Sequence, residues 1–261
     1  MKSSSMMNTS STGLDYGTRG TVMDTSSNAI VFVDADSMLS KAALTCDHDR
    51  YKMRMKYKEH LKEIERNTFS DQVIVGVKGA SKGFRYDIFK DYKKNRKPLD
   101  EDVKKSLNYL HSYAVDIGAI EAREGWEADD EVAEWVREAV AEDLNYVIAH
   151  IDKDLDMLPG KHYNYNKVEH YDVSIDDAVR NFYAQLLMGD SADGIPGAQG
   201  IGKVKANAIL DGNSPKYWYR HTRARYPNRK TMDMNARLLF MGDPERFTYD
   251  IPSLYSNQQD E

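Results

Sequence analysis

Ala29–Asp34 reads AIVFVD: a run of five apolar residues closed by a carboxylate. A run this short, β-rich and without apolar/polar alternation is how a strand buried on both faces of a parallel sheet reads. Working outward, Gln72–Val77 (QVIVGV) and Tyr146–Ile151 (YVIAHI) repeat the pattern, and Lys161–Asn164 and Val168–Tyr171 read as sheet-edge strands. Helical spacing fills the intervals. Residues 38–66 suit a helix or helix pair, Asp102–Ile117 places Val103, Leu107, Leu110 and Ala114 on one face, and Ala128–Ala141 follows a short strand in Gly118–Arg123. This alternation predicts an α/β fold with a mainly parallel central sheet flanked by helices.

From Ile175 the pattern turns helical. Ile175–Met188 is one helix, Lys203–Leu210 opens another, and between them lies a turn-rich segment with five glycines (Gly189, Gly194, Gly197, Gly200, Gly202). Asn235–Met241 reads as a last helix, followed by a tail that packs back and a frayed end. Residues 1–28 are rich in Ser, Thr, Gly and Asn without an apolar period, as expected of a disordered leader. The chain therefore divides into this leader, an α/β domain over 29–174 with a basic segment at 78–105, and a helical region with tail over 175–261.

At 261 residues and 41% hydrophobic content the chain can bury a sizeable core. It offers no stretch of about 20 apolar residues, so no membrane span is expected. One cysteine, Cys46, excludes an internal disulfide and suits a reducing cytoplasm as a buried small hydrophobe. A net charge of −6 argues against a polyanionic partner until it is mapped. Lys78–Lys97 carries eight basic and two acidic residues, a local +6, and Ile201–Lys230 carries eight against Asp211, a local +7. Two basic stretches beside a set of acids suit a nucleic acid held by its phosphates on either side of a metal centre. The aromatic residues of Lys216–Lys230 either extend that contact or cover the sheet.

The acids come in four clusters, each at the edge of an apolar run: Asp34; Glu127, Asp129 and Asp130 in GWEADDEVA; Asp152 and Asp154 after YVIAHI; Asp190 and Asp193 in MGDSADGIPG. Asp34, Asp152 and Asp154 lie at the carboxyl ends of strands, where open α/β sheets gather function. Any one of these acids alone reads equally as a cap or surface group. Pooled, they repel one another unless cations intervene, and all-oxygen ligation points to two Mg²⁺ or Mn²⁺ ions. The glycine-rich turn and helix opening GIGK offer backbone N–H groups to a phosphate.

Taken in order, VDAD, FRYDIFKDYKKNRKP, EADDEVA, IDKDLDML and MGDSADGIPGAQGIGKVKANAIL resemble the bacteriophage 5′-to-3′ exonuclease group of the flap-endonuclease-like 5′ nucleases over roughly Ala29 to Leu210. The resemblance implies a structure-selective, two-metal nuclease of phage DNA replication or recombination, cytoplasmic in the host and a monomer. Its substrates would be DNA with 5′ ends, flaps or junctions, and RNA in RNA–DNA hybrids. It implies one metal site served by Asp34, Glu127, Asp129 and Asp152 or Asp154, and a second served by Asp190 and Asp193; the adjacent Asp130 is expected in the cage directly or through water. It implies catalytic Lys93, Arg96 and Arg85 on a short arch or clamp. DNA contacts are expected from Lys82, Tyr86, Tyr92 and Lys94, and from a helix-hairpin-helix carrying Gly197, Gly200, Gly202, Lys203 and Lys205, with K⁺ bound there. One position departs: the second strand ends in Val77 where the family has a metal-ligating Asp, so either Asp36 or Asp156 compensates or the metal site is altered. A catalytically altered DNA-junction binder and a PIN-like ribonuclease are the alternatives.

Overall fold

The computed structural model describes residues 29–255. The expected leader and frayed end lie outside them. Strand β1 (Ile30–Asp34) is central, followed by α1 (Asp36–Thr45), α2 (Arg50–Thr68), β2 (Val73–Val77), α3 (Arg85–Ile88), α4 (Glu101–Asp116), β3 (Ile120–Glu121), α5 (Ala128–Ala141) and β4 (Tyr146–His150). A 3₁₀ turn (Lys153–Met157) leads to β5 (Gly160–Asn164), β6 (Glu169–Val173) and α6 (Ile175–Met188). The two-residue strands β7 (Gly189–Asp190) and β8 (Ile195–Pro196) precede α7 (Lys203–Asp211), α8 (Trp218–Arg223) and α9 (Arg229–Leu239). The main sheet runs β3-β2-β1-β4-β5-β6, parallel except for the β5–β6 hairpin.

Because side chains alternate along a strand, the apolar runs feed two cores. Val31 and Val33 of β1 and Val147 and Ala149 of β4 face one core, packed by Leu39 and Ala42 of α1, Met53 and Tyr57 of α2 and Leu110 of α4. Phe32 and Ile148 face the other, with Val132 and Val136 of α5 and Phe182, Leu186 and Leu187 of α6. The sheet is thus a middle layer between helices, as its strand composition demands. Trp218, Tyr226, Met232 and Leu239 join the second core, so the helical region from Ile175 shares its interior with the sheet. Of the aromatic residues in the basic stretch Trp218 and Tyr226 cover this core, while Tyr217 and Tyr219 are exposed, as are Lys216, Arg220, Arg225, Arg229 and Lys230. Helix α9 begins at Arg229, six residues ahead of the expected Asn235, because Asn228 caps it by accepting from Thr231 N–H (2.8 Å).

Helix α5 buries charge as well as apolar surface. Asp130 is fully buried, and Arg85 grips both its oxygens at 2.7 Å while donating to the carbonyls of Leu238 and Phe240 at 2.8 Å. One turn on, Glu134 pairs with Arg137 and Arg246, and Arg137 also donates to Met241 O. These pairs clamp the segment after α9 onto α5. Gly242, at φ +106°, passes so close that an added Cβ would lie 2.4 Å from Arg137 and 2.5 Å from Glu134.

Candidate metal centre

Strand ends β1 and β4, the first turn of α5 and the β7–β8 turn converge at one edge of the sheet. Asp34, buried at the end of β1, is pushed up to about 7 by burial and by the neighbouring charges of Asp36, Asp152 and Glu127. Asp129 is raised well above the usual carboxylate range, by burial first and then by Asp130, Glu127 and Asp34. Asp154 is pushed up to about 6 by burial and by Asp152 and Asp190. The four sequence clusters therefore lie within electrostatic reach of one another.

Five of the aspartates gathered here have one oxygen fixed by the backbone. Asp36 N–H donates to Asp34 (3.2 Å), Lys78 N–H to Asp36 (3.0 Å), Asp130 N–H to Asp129 (2.8 Å) and Asp154 N–H to Asp152 (2.9 Å). Asp190 accepts from Ala192 N–H (2.7 Å) and Asp193 N–H (3.3 Å). The turns that carry the acids thus orient them and leave a second oxygen of most of them for another partner. Among the described residues none of Asp34, Asp36, Asp129, Asp152 and Asp190 is in an ion pair. Asp154 Oδ1 is buried without a hydrogen-bond partner, its nearest cation being Lys153 Nζ at 3.9 Å. Oriented, uncompensated carboxylates of this kind fit hard divalent cations.

The basic segment lies down on the cluster. Within 78–105 the described helices are the four-residue α3 and the start of α4, so no tall arch stands there. Lys93 adopts φ +56°, and its N–H donates to Asp193 O (2.7 Å). Its ammonium pairs with Glu127 and lies 3.7 Å from Asp193, to which Arg96 also pairs. Burial alone would raise Glu127, but Lys93 and Arg85 outweigh it and hold this carboxyl below its ordinary value. Tyr92 is buried, with its hydroxyl 3.0 Å from both Glu127 and Asp193. Burial and these acids keep its phenol protonated far above the ordinary range, against the pull of Arg85.

Several expected assignments change. Asp130 is turned away from the cluster: Arg85, Gly242 N–H (2.9 Å) and Glu127 N–H (3.0 Å) take up both its oxygens, which leaves none for a cation. Arg85, being spent on that pair and on two carbonyls, is a structural group rather than a catalytic one. Tyr92 cannot stack on a base from a buried position, and Tyr86 packs edge-on against it with ring centroids 5.2 Å apart. Lys82 lies over the Tyr86 ring and Lys94 pairs with Asp91; both remain exposed. Gly197 is required by the approach of Met188, whose carbonyl carbon would lie 2.2 Å from an added Cβ; Gly200 sits at φ +72°, and Gly202 faces open space. Lys203 and Lys205 are exposed at the start of α7, Lys205 donating to Gly200 O.

Asp36 joins the centre beside buried Val77 and so occupies the end of β2, where the missing Asp was expected to matter. Its signal was available: D-x-D in VDAD repeats the spacing of Asp152 and Asp154. Asp156 does not compensate there, because its carboxylate accepts from Tyr171 (2.7 Å) on the far side of the turn.

The layered α/β sheet thus gathers oriented acids at its strand ends. Residues 29–185 match the family described as "5'-3' exonuclease, N-terminal resolvase-like domain", and the chain belongs to that family. Over 150 residues it is 31% identical to DNA polymerase I of Pseudomonas aeruginosa, covering 54% of this chain and 16% of that one. Over 147 residues it is 32% identical to the flap endonuclease Xni of Shewanella sediminis, covering 53% and 58%. The chain thus matches less than two thirds of the length of these curated relatives. In structure it is similar to the bacteriophage T5 flap endonuclease solved with DNA and metal ions, with a TM-score of 0.63 at 15% identity over 87% of this chain and 99% of that one. Among the described residues, no helix is long and apolar enough to cross a membrane.

Proposed function

We propose that the chain is a divalent-metal-dependent 5′-to-3′ exonuclease and flap endonuclease. It would hydrolyse DNA phosphodiesters near 5′ ends, flaps or junctions, and RNA in RNA–DNA hybrids, in phage replication or recombination. The observation that carries this reading is the convergence of Asp34, Asp36, Asp129, Asp152 and Asp190, none in an ion pair among the described residues, with Asp154, whose buried Oδ1 has no hydrogen-bond partner. Family membership supports it, as do the flap endonuclease relatives and the DNA and metal ions of the T5 complex.

Asp34, Asp36, Glu127, Asp129 and Asp152 would hold one Mg²⁺ or Mn²⁺, and Asp154, Asp190 and Asp193 the other. Bound there, such ions lower the pKa of a coordinated water and neutralise charge at phosphorus. The protein's own share is positional. Backbone N–H groups fix the carboxylates before any ion arrives. Lys93 and Arg96, which pair with Glu127 and Asp193, would bring positive charge to bear where negative charge develops on the phosphate. Lys203 and Lys205, with the first-turn N–H groups of α7, would grip duplex phosphates, with K⁺ in the same turn.

A 5′-labelled flap and a blunt duplex, each incubated with Mg²⁺, test this reading. The expected result is release of short 5′ products that EDTA abolishes and Asp154→Asn removes. Binding without cleavage would instead support the altered junction binder, and cleavage confined to single-stranded RNA the PIN-like ribonuclease.

A further inference from the structure

Beyond the carboxylate centre, on the α6 side of the 3₁₀ turn, His150, His162 and Asp156 present ligand atoms that all lie within 4.8 Å of one another. His150 ends β4 and His162 sits in β5, on the same face of the sheet because His162 pairs in register with Ile148, two residues before His150. Tyr171 pairs with His162 from β6 and completes the group. Both imidazoles are 1% exposed, whereas Asp156 is partly open to solvent.

The hydrogen bonds fix both tautomers. His150 Nδ1 lies 2.5 Å from the carbonyl oxygen of Asp152 and His162 Nε2 lies 3.0 Å from that of Leu158. A carbonyl only accepts, so each of these nitrogens carries the hydrogen. The remaining nitrogens, His150 Nε2 and His162 Nδ1, then face each other at 2.7 Å with a lone pair each. Two lone pairs at that distance repel unless a cation lies between them. The Tyr171 hydroxyl spends its proton on Asp156 at 2.7 Å and lies 3.3 Å from His150 Nε2.

We propose that His150 Nε2, His162 Nδ1 and the Asp156 carboxylate form a second, chemically distinct metal site for Zn²⁺ or a similar nitrogen-preferring divalent ion. Two imidazoles and one carboxylate select such an ion over Mg²⁺. Zn–N and Zn–O bonds of about 2.0–2.2 Å place neighbouring ligand atoms of a tetrahedron roughly 3.3 Å apart. The 2.7 Å His–His and 3.9 Å His–Asp separations straddle that value. Each ring's outer N–H rests on a backbone carbonyl, the arrangement that orients metal-bound histidines. The ion would brace the turn at both ends: Asp152 supplies the carbonyl that holds His150, and Asp156 supplies a ligand, with Asp154 of the carboxylate centre between them. Asn181 of α6 steadies the same turn by donating to Asp156 O (2.9 Å).

The test uses the full chain, stripped with EDTA, dialysed and titrated with Co²⁺ under saturating Mg²⁺ to keep the carboxylate centre filled. The expected result is a single equivalent with the intense visible absorption of four-coordinate Co²⁺, displaced by Zn²⁺. It should weaken at least about tenfold in affinity in Asp156→Asn, vanish in His162→Gln and persist in Asp34→Asn. Asp156 is partly exposed, so that variant remains informative even if His162→Gln does not fold. A weak six-coordinate spectrum, a band unchanged by Asp156→Asn, or a band lost with Asp34→Asn overturns the site. None of these readouts depends on cleavage, so they stand apart from the proposed nuclease activity.

Discussion

Asp129 and Asp130 are adjacent in the first turn of α5, yet they meet opposite fates. Asp130 faces the segment after α9 and is matched by Arg85 and by backbone N–H groups. Asp129 faces the strand ends, accepts one N–H and has no ion pair among the described residues. The same side chain is thus a clamp on one face of the helix and a repelled charge on the other. What separates them is whether the fold supplies the counter-charge or leaves it to be supplied.

The largest expected effect comes from the uncompensated side. Asp34→Asn or Asp154→Asn should lower Mg²⁺-dependent cleavage roughly 10²–10³-fold, the scale of losing one preorganised electrostatic group. In EDTA the same variants should melt no lower than wild type, because a source of repulsion is gone. A metal-free variant that melts well below wild type would break the contrast.

On the compensated side, Asp130→Ala should cost about 3–5 kcal/mol of stability by stranding a buried arginine. Denaturant unfolding measures it, and Arg85→Met added to Asp130→Leu should recover part of the loss. If Asp130→Ala instead abolishes ion binding in a protein of normal stability, the residue belongs with the metal ligands after all.

The contrast also has a pH signature. Asp34 at about 7 and Asp154 at about 6 lie above the ordinary 3.8, so the folded chain holds protons that the unfolded chain releases. From these groups, metal-free stability falls as pH rises from about 4 to 7 and is lowest above that window. Glu127, held low, acts in the opposite sense only in more acidic solution. Mg²⁺ should therefore raise the melting point more at pH 8 than at pH 5.5. Scanning fluorimetry reads this at about 2–4 °C per kcal/mol, and an equal rise at both values would count against it.

The layers, the parallel sheet and both the α5 and α6 boundaries were legible in the sequence, because buried strands and amphipathic helices carry their period locally. So was the gathering of acids at the strand ends, where seven of the eight named for the centre meet as proposed ligands. Asp130 was not, since no spacing rule distinguishes a carboxylate facing Arg85, 45 residues earlier, from its neighbour. Tyr92 was misread for a related reason: FRYDIFKDYKK is polar enough to read as exposed, but its hydroxyl and ring are accommodated by Glu127, Asp193 and Tyr86. The pairing of His150 with His162 depends on the β4–β5 register, which sequence alone leaves open.

The smallest effect concerns the basic surface distant from either acid. Replacing both Lys203 and Lys205 with Ala should weaken duplex binding and lower the salt slope by about 2, near 0.9 per phosphate contact. An unchanged slope would remove α7 from the DNA interface.

The central claim is that converging acids await two divalent ions. Mn²⁺ titration of the EDTA-stripped chain, followed by electron paramagnetic resonance, reads this directly. The account predicts two equivalents bound with the exchange coupling of neighbouring ions, reduced to one or none in Asp34→Asn. Mn²⁺ that stays free in solution, or binding untouched by Asp34→Asn, would contradict it.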